Sequence, residues 1–120
     1  MFGLLGGRAA KSGMSPQEAV AKAASGEITV VDVRDAGELA MSGKAKGAVH
    51  IPLAVIRMQG DPRSPEFNAA LSLDRPVAIY CASGARSSMA AQVLAGYGFD
   101  VTNIGGLGHW QMAGGEVVRA

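Results

Sequence analysis

Residues 76–95 read PVAIYCASGARSSMAAQVLA, and this stretch decides the fold. Its first part, Val77 to Tyr80, is an apolar run typical of a strand that is buried on both faces of a parallel sheet. Its last part begins a predicted helix that runs from about Arg86 to Gly96. Between them lies a short loop that starts with Cys81, the only cysteine of the chain. The sequence therefore predicts a strand–loop–helix unit with the thiol directly after the strand.

The thiol of Cys81 is predicted to be a reactive nucleophile. Backbone N–H groups converge at the N-terminus of a helix, and the helix dipole favours an anion there. A thiolate in that place is stabilised, so the thiol loses its proton easily. Arg86 adds a permanent cation with a forked donor, which suits an anionic substrate. The alternatives are an inert core cysteine, and an Arg86 that lies at the surface or ties the loop to an acidic residue.

The rest of the chain alternates predicted helices with predicted strands. Ser15 and Glu18 form a capping box at the first helix, and Asp35 caps the second. The predicted helices cover about 16–24, 36–41 and 65–71, with a last helical turn around Trp110, and the predicted strands cover 28–33, 48–51 and 101–104. This alternation predicts an α/β fold, an open parallel sheet with helices on both faces. Sites form at the carboxyl ends of strands in such sheets, which is where Cys81 lies.

The composition limits the organisation of the chain and its partners. The length of 120 residues predicts one domain, over residues 15–120, preceded by a flexible leader over residues 1–14. A net charge of +1 gives no reason to expect nucleic acid or a membrane as a partner. The first residues lack the pattern of a signal peptide, and one cysteine excludes an internal disulfide bond, so we expect a cytoplasmic protein. A sheet with covered faces needs no partner, so we expect a monomer.

Four segments in order resemble the single-domain rhodaneses, a family of sulfurtransferases, over residues 15–118. They are 31–34 (an Asp-x-Arg signature), 47–53 (Gly-Ala-x-x-Ile-Pro-Leu), the loop 80–87, and 105–110 (Gly-Gly-x-x-x-Trp). One departure is the sequence 43–45, Gly-Lys-Ala, where the family often has Gly-His-Ile. We expect Lys44 to affect loop packing rather than sulfur chemistry.

The resemblance implies a sulfur-transfer reaction on Cys81. The thiolate takes a sulfane sulfur from thiosulfate or another persulfide donor and becomes a persulfide. A thiol, or cyanide in an assay, then removes that sulfur, so the reaction has two steps and a covalent intermediate. The partners implied are a small-molecule donor and a thiol or cyanide acceptor, with a sulfur-accepting protein as an alternative. No metal and no cofactor is implied.

The loop residues receive their expected roles from the same resemblance and from backbone chemistry. The substrate-binding residues are predicted to be Ala82, Ser83, Gly84, Ala85 and Ser87. Their N–H groups would cradle the terminal sulfur, while Gly84 allows a tight turn. Ser83 and Ser87 would add hydrogen bonds or cap the helix. Arg86, the second predicted catalytic residue, would orient the donor's oxygens or hold the shape of the loop.

Other polar residues receive structural interpretations. Asp32 and Arg34 lie near a strand end, and we expect them to hydrogen-bond or pair near the loop in a supporting role. Glu38 is expected to be a solvated or packing residue. His50 and His109 have no visible partner, so neither is predicted to act as a base. Trp110 is expected in the core or in a pocket wall.

Two other functions compete with sulfur transfer by a free-standing enzyme. Cysteine phosphatases and arsenate reductases resemble Cys-x5-Arg, whereas Cys81 and Arg86 give Cys-x4-Arg, a tighter cradle suited to one sulfur atom. The second alternative is a persulfide carrier that acts in a sulfur relay with a partner protein. The loop does not resemble the Cys-Gly-x-Gly-x-Thr type of the mercaptopyruvate enzymes, which favours thiosulfate or another persulfide as the donor.

Overall fold

A computed structural model describes residues 13–120, and in this range short helices alternate with short strands. The elements are α1 (Pro16–Ala24), β1 (Thr29–Asp32), α2 (Ala36–Ser42), β2 (Lys44–Ala45), β3 (Val49–His50), a 3-10 turn (Leu53–Val55), α3 (Ile56–Gln59), β4 (Val77–Cys81), α4 (Ala85–Gly96), β5 (Val101–Gly106), α5 (Leu107–Met112) and β6 (Val117–Val118). The predicted leader, residues 1–14, lies outside the described residues apart from Gly13 and Met14. The Gly13 N–H donates to Thr102 Oγ1 at 3.1 Å.

The main sheet has four parallel strands in the order β3-β1-β4-β5. The β4 strand is central, which explains why its residues are apolar throughout. An irregularity between β4 and β5 shifts their register after Ile79, so that Cys81 lies opposite Gly106. The predicted parallel α/β fold is therefore confirmed, and the register brings the end of β5 beside the thiol.

Helices cover both faces of this sheet, as predicted, because side chains along each strand alternate between two core clusters. On β4, Ile79 and Cys81 pack in one cluster with Leu94 of α4. Tyr80 packs in the other cluster with Trp110 of α5. Trp110 is 3% exposed, in agreement with its predicted place in the core. Cys81 therefore points to the face covered by α4.

The first helix begins at the predicted capping box, and the second begins at the predicted cap, Asp35, which the structure extends to a capping box with Glu38. The Ser15 hydroxyl accepts from the Glu18 N–H at 3.1 Å, and the Glu18 carboxylate accepts from the Ser15 N–H at 2.8 Å. Asp35 and Glu38 exchange the same two bonds, each at 3.0 Å. These bonds satisfy N–H groups that lack partners inside the helix. They also fix the Glu38 carboxylate at the start of α2.

The predicted helix over 65–71 is wrong. This region is a series of turns held by short polar side chains. In each turn a side-chain oxygen accepts a hydrogen bond from the N–H group two residues further on. The four acceptors are Asp61, Ser64, Asn68 and Ser72. Such local bonds compete with the helical pattern, and here they replace it.

A small antiparallel ribbon was not predicted. It pairs Lys44 with Val118 and Ala45 with Val117, so β2 and β6 form a second, two-stranded sheet. The Lys44 side chain donates from Nζ to the Ala48 carbonyl at 2.8 Å. No helix among residues 13–120 is long and apolar enough to cross a membrane.

Candidate active site

Cys81 is the last residue of β4, and its buried side chain lies under the N-terminus of α4. The chain turns at Gly84, whose φ of 111° lies in the left-handed region that favours glycine. This turn directs the Gly84 N–H towards Cys81 Sγ, at 3.0 Å. The Ser87 hydroxyl, on the first turn of α4, lies 3.3 Å from the same sulfur. The loop therefore surrounds the thiol with hydrogen-bond donors.

These donors shift the pKa of the thiol. Burial alone would raise the pKa of Cys81, because a charge is disfavoured away from water. Hydrogen bonds from the Ser87 hydroxyl and from the N–H groups of Ser87, Gly84 and Ser83 outweigh burial and lower the pKa to about 7. The thiolate, the nucleophilic form, is therefore favoured relative to an ordinary thiol at neutral pH.

Ser87 and Asn103 form a polar bridge between the loop and β5. The single hydroxyl proton of Ser87 has three acceptors within reach: Asn103 Oδ1 at 2.8 Å, Cys81 Sγ at 3.3 Å and the Gly105 carbonyl at 3.4 Å. Asn103 also donates from Nδ2 to the Gly84 carbonyl at 3.0 Å and accepts from the Gly105 N–H at 2.9 Å. Sequence reasoning missed Asn103, although a polar residue inside the predicted strand 101–104 was the available signal.

The Ser87→Ala variant is expected to raise the pKa of Cys81 from about 7 towards the ordinary thiol value of about 8.5, because the thiolate loses its hydroxyl donor. The pH dependence of alkylation by iodoacetamide measures this change. Ser88→Ala is the matched control, since it makes the same substitution on the same helix at an exposed hydroxyl. An unchanged alkylation midpoint in Ser87→Ala would show that the backbone N–H groups alone stabilise the thiolate.

The end of β5 packs closely against the cysteine loop. A Cβ atom at Gly106 would collide with the carbonyl oxygen of Ala82, so only glycine permits this approach. The Gly106 N–H donates to His109 Nδ1 at 2.9 Å, which places that imidazole at the start of α5. His50 is also occupied, since its Nε2 lies 2.6 Å from the carbonyl of Arg34. Both histidines thus bond to backbone groups.

Arg86 forms a bidentate ion pair with Glu38. The two guanidinium nitrogens lie 2.7 and 2.8 Å from the two carboxylate oxygens, and the side chains are 36% and 30% exposed. Hydrogen bonds from Arg86, and then from the Asp35 N–H, lower the pKa of Glu38 to about 2, so the pair is ionised at neutral pH. The expectation that Glu38 is a solvated or packing residue is wrong, because a residue 48 positions along the chain binds it.

Asp32 and Arg34 form a second ion pair behind the loop, and this one is buried. Arg34 donates from Nε to both Asp32 oxygens at 3.1 Å and from Nη2 at 2.8 Å. The Tyr80 hydroxyl donates to Asp32 at 2.5 Å and accepts from the Ala45 N–H at 2.9 Å. Arg34 also donates to the Ser42 hydroxyl at 2.8 Å. The pair and its hydrogen bonds therefore link β1, β4, α2 and β2. They include Tyr80, the residue directly before Cys81.

The remaining predicted loop residues lie at the surface. Ala82, Ser83 and Ala85 are exposed and have small side chains, whereas the Cys81 side chain beside them is 1% exposed. Their assignment as substrate-binding residues stays a prediction. No group of three or more His, Cys, Asp or Glu side chains within residues 13–120 is placed to hold a metal ion.

The fold and the site together define a class: a parallel α/β domain with a buried cysteine of lowered pKa at the end of a central strand. The family model described as Rhodanese-like domain matches residues 15–113, and the chain belongs to this family. No curated protein matches the chain.

Solved structures of similar fold come from several organisms. A protein of unknown function from Rhodopseudomonas palustris, described as a possible tyrosine phosphatase, is 27% identical, with 98% of each chain covered and a TM-score of 0.77. A rhodanese-related protein from Thermoplasma volcanium is 26% identical, covering 91% of this chain and 99% of its own, with a TM-score of 0.71. The human single-domain sulfurtransferase TSTD1 is 25% identical, covering 82% of this chain and 94% of its own, with a TM-score of 0.69.

Proposed function

We propose that this domain is a sulfurtransferase that carries a sulfane sulfur on Cys81 between a donor and an acceptor. The observation that supports this most directly is the position of the Cys81 thiol at the end of β4, where the Gly84 N–H and the Ser87 hydroxyl contact its sulfur and its pKa is lowered. Membership of the rhodanese-like family and the similarity to a human sulfurtransferase point to the same chemistry.

In the first half-reaction the Cys81 thiolate attacks the outer sulfur of the donor, written here for thiosulfate. A new S–S bond forms to Cys81, the S–S bond of thiosulfate breaks, and its electron pair leaves with sulfite. The product is a Cys81 persulfide whose terminal sulfur carries the negative charge. The N–H groups of Gly84 and its neighbours are suited to stabilise that charge, since they already bind the thiolate.

In the second half-reaction an acceptor attacks the terminal sulfur of the persulfide. Cyanide forms a C–S bond and leaves as thiocyanate, and the electron pair of the broken S–S bond returns to Cys81 as the thiolate. A thiol acceptor leaves as a new persulfide in the same way. We propose a thiol as the biological acceptor, on a small molecule or on a sulfur-accepting protein, and the cytoplasm as the place where a monomer meets it.

Intact-mass measurement tests this proposal directly. The protein is mixed with thiosulfate, desalted and weighed, and cyanide is then added. We expect the mass to rise by one sulfur atom and to return to its starting value as thiocyanate appears. A protein that gains sulfur neither from thiosulfate nor from a persulfide in a parallel sample would contradict the proposal.

A phosphatase is the alternative function, and the similarity to the R. palustris protein, a possible tyrosine phosphatase, is the observation that favours it. Against it, Cys81 and Arg86 are one residue closer in sequence than in the Cys-x5-Arg loops that hold a phosphate. Both terminal nitrogens of the Arg86 guanidinium also bind the Glu38 carboxylate. Turnover of p-nitrophenyl phosphate that is lost in a Cys81 variant, with no sulfur gain, would favour the phosphatase.

A further inference from the structure

Arg86, the one loop side chain with a permanent charge, is already occupied. Both of its terminal nitrogens bind the Glu38 carboxylate, and each oxygen of that carboxylate takes one of them. Oε2 of Glu38 also accepts from the Asp35 N–H at 3.0 Å, within the capping box of α2. The partner of Arg86 is therefore held in place by a second element and is not a freely moving surface side chain.

This pairing changes the charge that the loop offers to a substrate. A free guanidinium would attract a dianion and bind its oxygens through the fork. In the ion pair, the charge of Arg86 is balanced by that of Glu38, and the carboxylate of Asp35 also acts on the guanidinium. A dianion that approaches the loop would have to displace a bidentate carboxylate or accept its repulsion.

We propose that Glu38 is a specificity-determining residue that selects a hydropersulfide over thiosulfate as the sulfur donor. The inference rests on the proposed sulfurtransferase function and names its donor class. A hydropersulfide, R–S–SH, has no sulfonate oxygens, so it needs no free cation at the mouth of the loop. Backbone N–H donors and the Ser87 hydroxyl, which surround the thiol, suffice for its transferred sulfur.

The proposed step is balanced without any further reactant. The Cys81 thiolate attacks the outer sulfur of R–S–SH, and an S–S bond forms between them. The donor's own S–S bond breaks, and its electron pair leaves on the inner sulfur as the thiolate RS⁻. The proton of the hydropersulfide stays on the transferred sulfur or passes to RS⁻. One S–S bond replaces another, so there is no net oxidation.

The test measures the second-order rate of Cys81 persulfidation, by rapid quenching and intact mass, with thiosulfate and with cysteine persulfide. The variant is Glu38→Gln, which removes the negative charge and keeps a residue that completes a capping box. Glu116→Gln is the matched control, because it removes the same charge from an exposed pair with Lys46 on the β2–β6 ribbon. Melting curves confirm that each variant is folded.

We expect the wild type to load faster from cysteine persulfide than from thiosulfate. In Glu38→Gln the rate with thiosulfate should rise about tenfold, as expected for one uncompensated charge close to a dianion at a partly exposed site. The rate with cysteine persulfide should change less than about twofold, and Glu116→Gln should change neither. The gain should shrink between about 0.01 M and 1 M salt, where the screening length falls from about 30 Å to about 3 Å.

Three outcomes overturn the inference in different ways. A wild type that prefers thiosulfate contradicts the selection of a hydropersulfide. A thiosulfate rate that is unchanged or lower in folded Glu38→Gln shows that the pair serves the shape of the loop and not donor choice. A Cys81 that is loaded by neither donor overturns the proposed sulfurtransferase function itself, whereas the first two outcomes leave that function in place.

Discussion

Replacement of Cys81 by serine is expected to abolish sulfur transfer and to leave the fold intact. A serine hydroxyl is protonated at neutral pH and forms no stable bond to a sulfane sulfur, so the covalent intermediate is lost. Loss of a nucleophile of this kind lowers the rate by at least about 10³-fold. The serine oxygen is smaller than the sulfur, so it fits in the same space, and it can accept from the donors that bind Cys81, such as the Gly84 N–H. Mass gain from either donor, and thiocyanate formation, measure the loss.

The second variant in this test is Cys81→Ala, which removes both the nucleophile and the acceptor. Activity should be lost equally in the two variants, whereas Cys81→Ala should be less stable, since the loop donors lose a buried partner. Urea unfolding compares their stabilities. Because Cys81 is the only cysteine, sulfur that binds covalently to Cys81→Ser would contradict the mechanism outright. A Cys81→Ser variant that does not fold would show that the thiol is needed by the core.

The elements that the sequence predicts correctly are those whose signal is local. The apolar run of β4, the capping box at Ser15 and the cap at Asp35 each lie within a few residues, and the structure has them all. The turn chemistry of residues 61–74 is local as well. It was missed because Pro65 and the residues up to Leu71 also fit a helix start, and periodicity does not show which hydrogen bonds win.

The parts of the site that escaped prediction depend on contacts between distant residues. Any of the ten acidic residues was a conceivable partner for Arg86, and only the packing of α2 beside the loop selects Glu38. Asn103 contacts Ser87 and Gly84 because β5 pairs with β4 and so lies beside the cysteine loop, a contact between segments that are distant in the sequence. The sequence therefore predicts Cys81 and its loop, but it does not predict that Glu38 and Asn103 contact the loop residues.

The Asp32→Asn variant is expected to destabilise the domain by about 3–5 kcal/mol, the usual cost of removing one partner from a buried ion pair. Asp32 is completely buried, and Arg34 is 3% exposed, so the guanidinium would lose its counter-charge away from water. The amide of asparagine also brings a donor against the donors of Arg34 and Tyr80. Domains of this kind are stable by only about 5–15 kcal/mol, so the change is large. Urea unfolding followed by circular dichroism measures it.

Lys46→Gln is the matched control, because it breaks a pair whose side chains are 68% and 64% exposed. Water already solvates both of those charges, so this variant should lose less than about 1 kcal/mol. The double variant Asp32→Asn, Arg34→Met removes the stranded charge as well and should recover part of the loss, even if Asp32→Asn alone does not fold. A loss below about 1 kcal/mol in Asp32→Asn, or no recovery in the double variant, would contradict the argument. The loss of stability arises from the uncompensated charge of Arg34. The contacts that the Asp32–Arg34 pair makes behind the cysteine loop therefore depend on both charges being present.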